Sequence, residues 1–546
     1  MMASADNVVR CVGSQAQWNT ARHSLGILRA VIVTCRYRVS TTHLRQQSLS
    51  LYDAIENALA AVVLRQAMLC VGIAGENTKE PAFVHVKTID MRRMIEWREL
   101  IPTTTPITGI RADKSKNEEN QAEAHYKDRL LRSLEKHHEA LWEDLADKPG
   151  WKIVVHHDPR QLGALQSEEN DVLLSFDISF CFHHAYADGK SGYIFHGDFQ
   201  RALSNAACPP ELQNHILYLP TAPILPPAMD TLIPFSLSWA FILRTAWAEI
   251  LYPVLVPPFL RRLLHLEPSE ADLPWTGGPV DGSNPKGHIR TLLDVDEAQL
   301  QRILARCRSH KASLTGLLHA LIARSLARLV RDKSFHSTTP ISLARYADPG
   351  IAGSTFTPDE TIHCLVTGLL CDHELATIRR LQQGQDSGDT RVQDDAAMWA
   401  FAQDMTARIR DKAASLPRDD ITALYGLVGD WHEFLRNKFG KARSSSWELS
   451  NLGSLSAVDS GVSVPEDLSR AESERRVENE GRWFIDRAVF TQGMNAIGPA
   501  VSFNVAGVAE HGICVTVNWQ NGIVDVDLAE KLVDDLQASV AELGEA

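Results

Sequence analysis

V-L-L-S-F-D-I-S-F-C-F-H-H-A-Y-A-D-G-K-S-G, residues 172–192, is the stretch around which the rest of the chain is read. From Val172 to Phe182 the even positions are apolar (Val172, Leu174, Phe176, Ile178, Phe180, Phe182), and the odd ones include Ser175, Asp177 and Ser179. That period of two predicts a strand with one buried face. Carried on to the double histidine, the alternation puts His184 in the apolar row and His183 in the polar one. Asp188-Gly189 and Gly192 end the strand in a turn, and Tyr193 to Leu203 has helical spacing. A histidine kept dry at a strand end stays neutral near pH 7, because burial disfavours the imidazolium, and it can then take a proton.

A chain of 546 residues exceeds what one core fills, so two domains of about 200–250 residues are expected. A net charge of −13 without a long basic run argues against nucleic acid as a partner. The nine cysteines are scattered and form no C-x-x-C pair, which is the usage of a reducing, cytoplasmic compartment. His363-Cys364 with Cys371 and His373 fits no common zinc spacing, and no metal is expected. Residues 1–23 lack the continuous apolar core of a signal peptide. Leu232 to Leu264 is rich in Trp, Leu, Ile and Pro, but Arg244, Glu249, Pro253, Pro257 and Pro258 argue against a membrane span. Two readings of 232–264 stay open: a buried crossover, or peripheral contact with a membrane or lipid droplet.

In chain order, Ser24–Arg38 is strand-like, Leu51, Ile55, Leu59 and Val62 have helical spacing, and Phe83–Ile89 reads as a strand. Residues 101–125 read as a polar loop, Leu130, Leu134, Leu141 and Leu145 as a helix, and Lys152–His156 as a strand. The second half restarts with a strand at His288–Leu293 and a helix that Asp294 or Asp296 could cap. A buried helix comes next around Leu314, Leu317, Leu318, Leu321 and Ile322, then a strand at 340–343 ending at Arg345. Residues 381–395 and 456–482 read as surface loops, Ala500–Val508 and Ile513–Trp519 as a strand pair, and Leu528–Leu543 as a closing helix. The boundaries are 1–215 for a first domain carrying the double histidine, 216–287 for a Pro-rich crossover, and 288–546 for a second domain. Strand and helix alternate in both halves, with no G-x-G-x-x-G and no P-loop, which suggests two α/β sandwiches of mixed sheets.

The spacing His183-His184-x-x-x-Asp188-Gly189 resembles the H-H-x-x-x-D-G signature of CoA-dependent acyltransferases, the superfamily of plant acyltransferases, peptide-synthetase condensation domains and fungal alcohol acetyltransferases. The resemblance extends through S-L-T-G-L-L-H-A (313–320), P-I-S-L-A-R (340–345), Ser450-Asn451-Leu452-Gly453 and V-N-W-Q-N-G-I-V-D (517–525). Together these look most like a fungal alcohol acetyltransferase; the plant D-F-G-W-G motif is absent. The resemblance implies an α/β fold of two chloramphenicol-acetyltransferase-like mixed-sheet sandwich domains, in pseudo-twofold arrangement with an active-site channel between them. It also implies an acyl-CoA-dependent O-acyltransferase, with acetyl-CoA as cosubstrate, no permanently bound cofactor, and a small hydrophobic alcohol such as a terpenoid or polyketide as acceptor. A monomer is expected. The alternatives are a condensation-type or N-acyltransferase, and a degenerate relative that binds acyl-CoA or lipid without turnover.

Within that resemblance His184 is the general base, attack on the thioester is direct, and Asp188 turns away to pair with an arginine, for which Arg345 is the candidate. His183 and Gly189 complete the motif, Gly189 by allowing a tight turn that a side chain would obstruct. Ser450 and Asn451 are candidates for oxyanion or substrate contacts, or else cap a turn. Lys441 and Arg443, in a small basic cluster with Arg436 and Lys438, are candidates for the CoA phosphates, or else end a solvated helix. Cys181 lies on the strand face opposite His184 and is not expected to act as a nucleophile.

Overall fold

The β-branched and aromatic runs form eleven main strands. In chain order they are Val31–Ser40 (β1), Ile95–Glu99 (β2), Trp151–His157 (β3), Leu173–Phe182 (β4), Gly287–Val295 (β5), Phe335–Ser342 (β6), Val366–His373 (β7), Ser445–Leu455 (β8), Phe484–Gln492 (β9), Pro499–Val508 (β10) and Gly512–Gln520 (β11). This computed structural model describes residues 7–545 apart from 48, 101–114, 165–170, 206, 248–255, 257–272, 284–285, 354, 387–394 and 457–482. One sheet has the order β9-β1-β4-β3-β2 and the other β5-β11-β10-β8-β6-β7. Both are mixed: β3 pairs β2 in parallel, and β8 pairs β6 and β10 in parallel, while the remaining neighbours are antiparallel. Strand β9 comes from the second half of the sequence but runs antiparallel to β1, from Phe484 opposite Arg38 to Gln492 opposite Val31. The 288–546 segment therefore builds part of the first sheet as well as all of the second.

The motif strand β4 sits between β1 and β3, and both its faces are covered. Phe176, Ile178, Phe180 and Phe182 are fully buried against the helix Gly189–Asn205, where Phe180 and Phe195 stack with centroids 4.0 Å apart. Gly192 lets this helix approach the sheet, since a Cβ there would lie 2.3 Å from Val33 Cγ2. The other row is not a wet face. Ser179 bonds Thr34 (2.8 Å), Asp177 faces Arg36 (3.5 Å), and Cys181 packs with Leu130, Leu131 and Leu134. The expectation of one buried face is corrected here: polar side chains on the odd positions are paired under a helix rather than exposed to water.

That helix spans Ser115–Glu139, so the polar loop read over 101–125 is helical from 115 onward, and 101–114 lie outside the described residues. Its Leu130, Leu131 and Leu134 share a cluster with Cys181 of β4, Val489 of β9, Ile289 of β5 and Cys514 of β11. The two sheets thus meet through a continuous apolar contact. Leu141, read as part of that helix, lies beyond its end and is exposed. In the second half Asp296, not Asp294, caps the helix Glu297–Ser309 by accepting from Gln299 N–H at 2.8 Å. The helix Leu314–Leu329 is buried nearly all round, as its leucine and alanine pattern requires. The loop read at 381–395 is helical through Asp386; most of it, like most of 456–482, lies outside the described residues. In the 232–264 stretch the helix Trp239–Ala246 has no buried residue, and residues 248–255 and 257–264 lie outside the described residues. No helix among the described residues is long and apolar enough to cross a membrane.

Candidate active site

Strand β4 stops at Phe182 because His183 N–H leaves the ladder for Gly150 O (2.8 Å) and a turn closes from Tyr186 N–H to His183 O (3.1 Å). The alternation therefore does not reach the histidines. His183 is fully buried, and its Nδ1 accepts from Ala185 N–H at 2.9 Å. Its proton must then sit on Nε2, which donates to Glu76 Oε1 at 2.8 Å. His23 repeats the device: Nε2 accepts from Trp142 N–H (3.1 Å), and Nδ1 donates to the same Glu76 oxygen (2.7 Å). Burial pushes the Glu76 carboxyl up, but the two imidazole donors outweigh it and bring it down to about 2. Burial holds His183 down at about 4. His23, Glu76 and His183 lie close enough together to hold a cation. The protons on His23 Nδ1 and His183 Nε2 fill the inner face of the cluster, and backbone N–H groups occupy the opposite nitrogens, so these residues read as a hydrogen-bonded brace.

His184 turns the other way, into a cleft. Its Nδ1 meets Ala187 O at 2.9 Å, which fixes the tautomer with the lone pair on Nε2. Burial first, then the charge of Arg22, hold the imidazole down to about 3. Cys364 Sγ approaches Nδ1 at 3.6 Å, but the thiol is buried, and burial together with Asp188 pushes it up, opposite to what a nucleophile needs. Cys181 is buried on the far side of the sheet, as expected from its row.

Among the described residues no arginine pairs with Asp188. Its Oδ1 accepts from Ser191 N–H (2.9 Å), its Oδ2 accepts from Leu365 N–H (3.0 Å), and burial raises its carboxyl. The Ser191 hydroxyl reaches His363 O at 2.6 Å, so the motif loop is stitched to the segment leading into β7 of the second sheet. Arg345 lies elsewhere, on a short turn where its guanidinium bonds Tyr346 Oη and Ala413 O; the expected Asp188–Arg345 pair is corrected on this geometry. Backbone amides do the holding assigned to that arginine. Gly189 opens the helix Gly189–Asn205, and a Cβ there would lie 2.4 Å from Leu452 Cδ2. Close approach of β8 is the reason for glycine at this position.

The cleft has a volume of about 150 Å³ and is walled by both halves of the chain. The motif gives His184, Asp188 and Gly189; β9 gives Phe490 and Gln492; β8 gives Glu448 and Ser450; Val366, Thr367 and Gly368 come from β7. The helix Ser14–Ser24 forms another wall, with Trp18 and Arg22 in the lining and Gln15 and Asn19 on the same helix face at helical spacing. Gln15 Nε2 reaches Val366 O (2.5 Å), Asn19 Nδ2 holds His184 O (3.0 Å), and Arg22 lies over the Trp18 ring (3.7 Å to the centroid). The sequence reading missed all four. Their polar run S-Q-A-Q-W-N-T-A-R reads as a solvent face, and only the repeat of polar residues at positions 15, 19 and 22 hints otherwise. It also missed Glu448, whose carboxyl burial pushes up and whose Oε1 accepts from Gln492 Nε2 (3.0 Å).

Of the remaining candidates, Ser450 lines the cleft. Asn451 does not: it donates to Thr315 Oγ1 (3.0 Å) and accepts from Gly453 N–H (2.8 Å), which is the turn-capping alternative. Arg443 is only 4% exposed and its guanidinium holds Asn495 O (3.0 Å), Pro499 O (3.2 Å) and Gln520 Oε1. It joins loop and strand ends and has no open side for a phosphate, which corrects its assignment. Lys441 is exposed and away from the cleft lining.

No protein-family profile matches the chain. The probable alcohol acetyltransferase FCK4 of Fusarium pseudograminearum is 27% identical over 549 residues, covering 98% of this chain and 96% of that one. The probable alcohol acetyltransferase crmB of Aspergillus fumigatus is 21% identical over 524 residues, 94% of this chain and 95% of the relative. Over nearly its whole length the chain is thus similar to probable alcohol acetyltransferases of fungi. Similarity to these relatives supports an acyltransferase. The TRI3 trichothecene 15-O-acetyltransferase of Fusarium sporotrichioides superposes with a TM-score of 0.59 at 14% identity, over 98% of this chain and 95% of that one. The first condensation domain of the CDA synthetase superposes with a TM-score of 0.53 at 12% identity, over 98% of both chains. These likenesses speak to the fold, a pair of chloramphenicol-acetyltransferase-like halves, as the two mixed sheets require.

Proposed function

We propose that this acyltransferase esterifies a hydroxyl of a small metabolite with the acyl group of an acyl-CoA, acetyl-CoA by family default, and that His184 is its general base. The acceptor hydroxyl gives its proton to Nε2 while its oxygen attacks the thioester carbonyl, with Ser450 as the candidate donor to the developing oxyanion. The C–O bond forms, the C–S bond breaks, and the imidazolium returns the proton to the departing CoA thiolate. An imidazole held down at about 3 is a weak base, but it is neutral at every physiological pH and its conjugate acid gives the proton back readily. The observation that carries this reading is the Nδ1–Ala187 bond, which leaves Nε2 unprotonated in a cleft walled by both halves of the chain.

The test is release of CoA thiol and formation of ester from acetyl-CoA and a panel of alcohols. His184→Ala is expected to lower kcat by about 10²–10⁴ with the fold retained. Full activity of a folded His184→Ala protein would sink the assignment.

A further inference from the structure

Arg22 and Asn495, both in the lining of the cleft, each carry a buried polar side-chain atom that has no partner among the described residues. Arg22 is 3% exposed; among the described residues its side chain makes one hydrogen bond, Nη2 to Asn19 Oδ1 at 2.5 Å, and its Nε is buried without a partner. No carboxylate lies within ion-pairing distance of it among the described residues. Asn495 Oδ1, in the lining of the same cleft, is likewise buried and unpartnered. One is a donor and the other an acceptor. Such groups are costly to leave unsatisfied, the charged one most, so a ligand that brings partners for both residues binds preferentially. A hydrocarbon alcohol can satisfy neither while its hydroxyl is at His184.

Resting on the reading of this cleft as the acyl-transfer site, we propose that Arg22 and Asn495 recognise an oxygenated acceptor: an alcohol carrying a carbonyl or carboxylate oxygen for the Arg22 guanidinium and a second hydroxyl or N–H for Asn495. The natural acceptor class is then a hydroxy-ketone, hydroxy-lactone or hydroxy acid, not a plain hydrophobic alcohol. Arg22 is held for this task, its plane fixed by the Trp18 ring beneath and the Asn19 amide beside it. Glu448 and Gln492, bonded to one another in the lining, add further polar surface to the cleft.

The test is equilibrium binding of cyclohexanol and of 2-hydroxycyclohexanone to the wild-type chain, Arg22→Gln and Arg22→Lys, with melting curves to establish folding. Wild type should bind the hydroxy-ketone at least about 10-fold more tightly, the value of one hydrogen bond to a charged group. Arg22→Gln should erase the gap and Arg22→Lys, a point charge without the fork, should narrow it. Equal binding of the two probes by wild type, or a gap that survives in folded Arg22→Gln, overturns the proposal. Should Arg22→Gln not fold, an unchanged gap in Arg22→Lys overturns it and a narrowed one supports it. Binding is read without turnover, so the two readings fail separately. A protein that transfers no acetyl group but shows the Arg22-dependent gap refutes the reaction and keeps the recognition; one that acetylates both alcohols with no gap does the reverse.

Discussion

At the residue scale the motif divides labour between two histidines that face opposite ways. His184 is expected to give an unusual pH profile. Its conjugate acid is held down at about 3, so the neutral base persists through mildly acidic solution, and kcat/KM should show no loss near pH 6.5. An acid limb with an apparent pKa of about 6–7 that vanishes in His184→Gln would contradict the effect of burial and of the Arg22 charge on this imidazole. Asp188→Asn tests the loop stitch. The Leu365 N–H that Oδ2 accepts would face an amide N–H, or the Ser191 N–H would, because asparagine has one oxygen. Stability should fall by about 1–3 kcal/mol, measured by urea denaturation, which is the cost of an unmet buried donor and not that of a broken ion pair. No change in the unfolding midpoint would remove the structural role. Glu76→Gln should lower kcat through misplacement of the double histidine while barely moving KM for acetyl-CoA. The pairing of residues 76 and 183 could not be seen in sequence, since nothing local ties them.

At the scale of elements, β4 was legible because its apolar positions repeat with a strict period; its odd positions were not, because pairing with Arg36 and Thr34 depends on which strand lies beside it. The start of the helix Ser115–Glu139, read as loop to residue 125, escaped because its sequence there is polar, while Leu130 and Leu134 gave away the rest. The cleft-facing helix Ser14–Ser24 escaped because burial of a polar face shows only once its partners are placed. The insertion of β9 beside β1 is a long-range pairing that no local pattern encodes. Phe180→Ala removes a ring stacked on Phe195 in the core of the motif strand, and should destabilise by about 3–5 kcal/mol in the same denaturation assay. A loss under about 1 kcal/mol would show that the strand–helix contact does not hold the site.

At the scale of the whole molecule, burial of neutral histidines sets the acid stability. His138, His184, His319 and His373 are held down at about 3, and His156, His183, His196 and His363 at about 4, each chiefly by burial, against an ordinary value of 6.5. The unfolded chain takes up these protons below pH 6.5 while the folded chain does not. Stability present above pH 6.5 is therefore lost as pH falls from 6.5 toward 4. Urea midpoints that stay level or rise between pH 7 and pH 5 would contradict this.

On the proposed reading, His184 and the cleft hold both substrates at once, with no nucleophile beside Nε2 among the described residues and the nearby Cys364 thiol pushed up by burial. Intact mass of the protein mixed with acetyl-CoA alone tests the proposed direct attack most directly. No mass gain is expected, with turnover beginning only when the alcohol is added. A stoichiometric gain of one acetyl group, mapped to Cys364 or any other side chain and discharged by alcohol, would contradict direct attack.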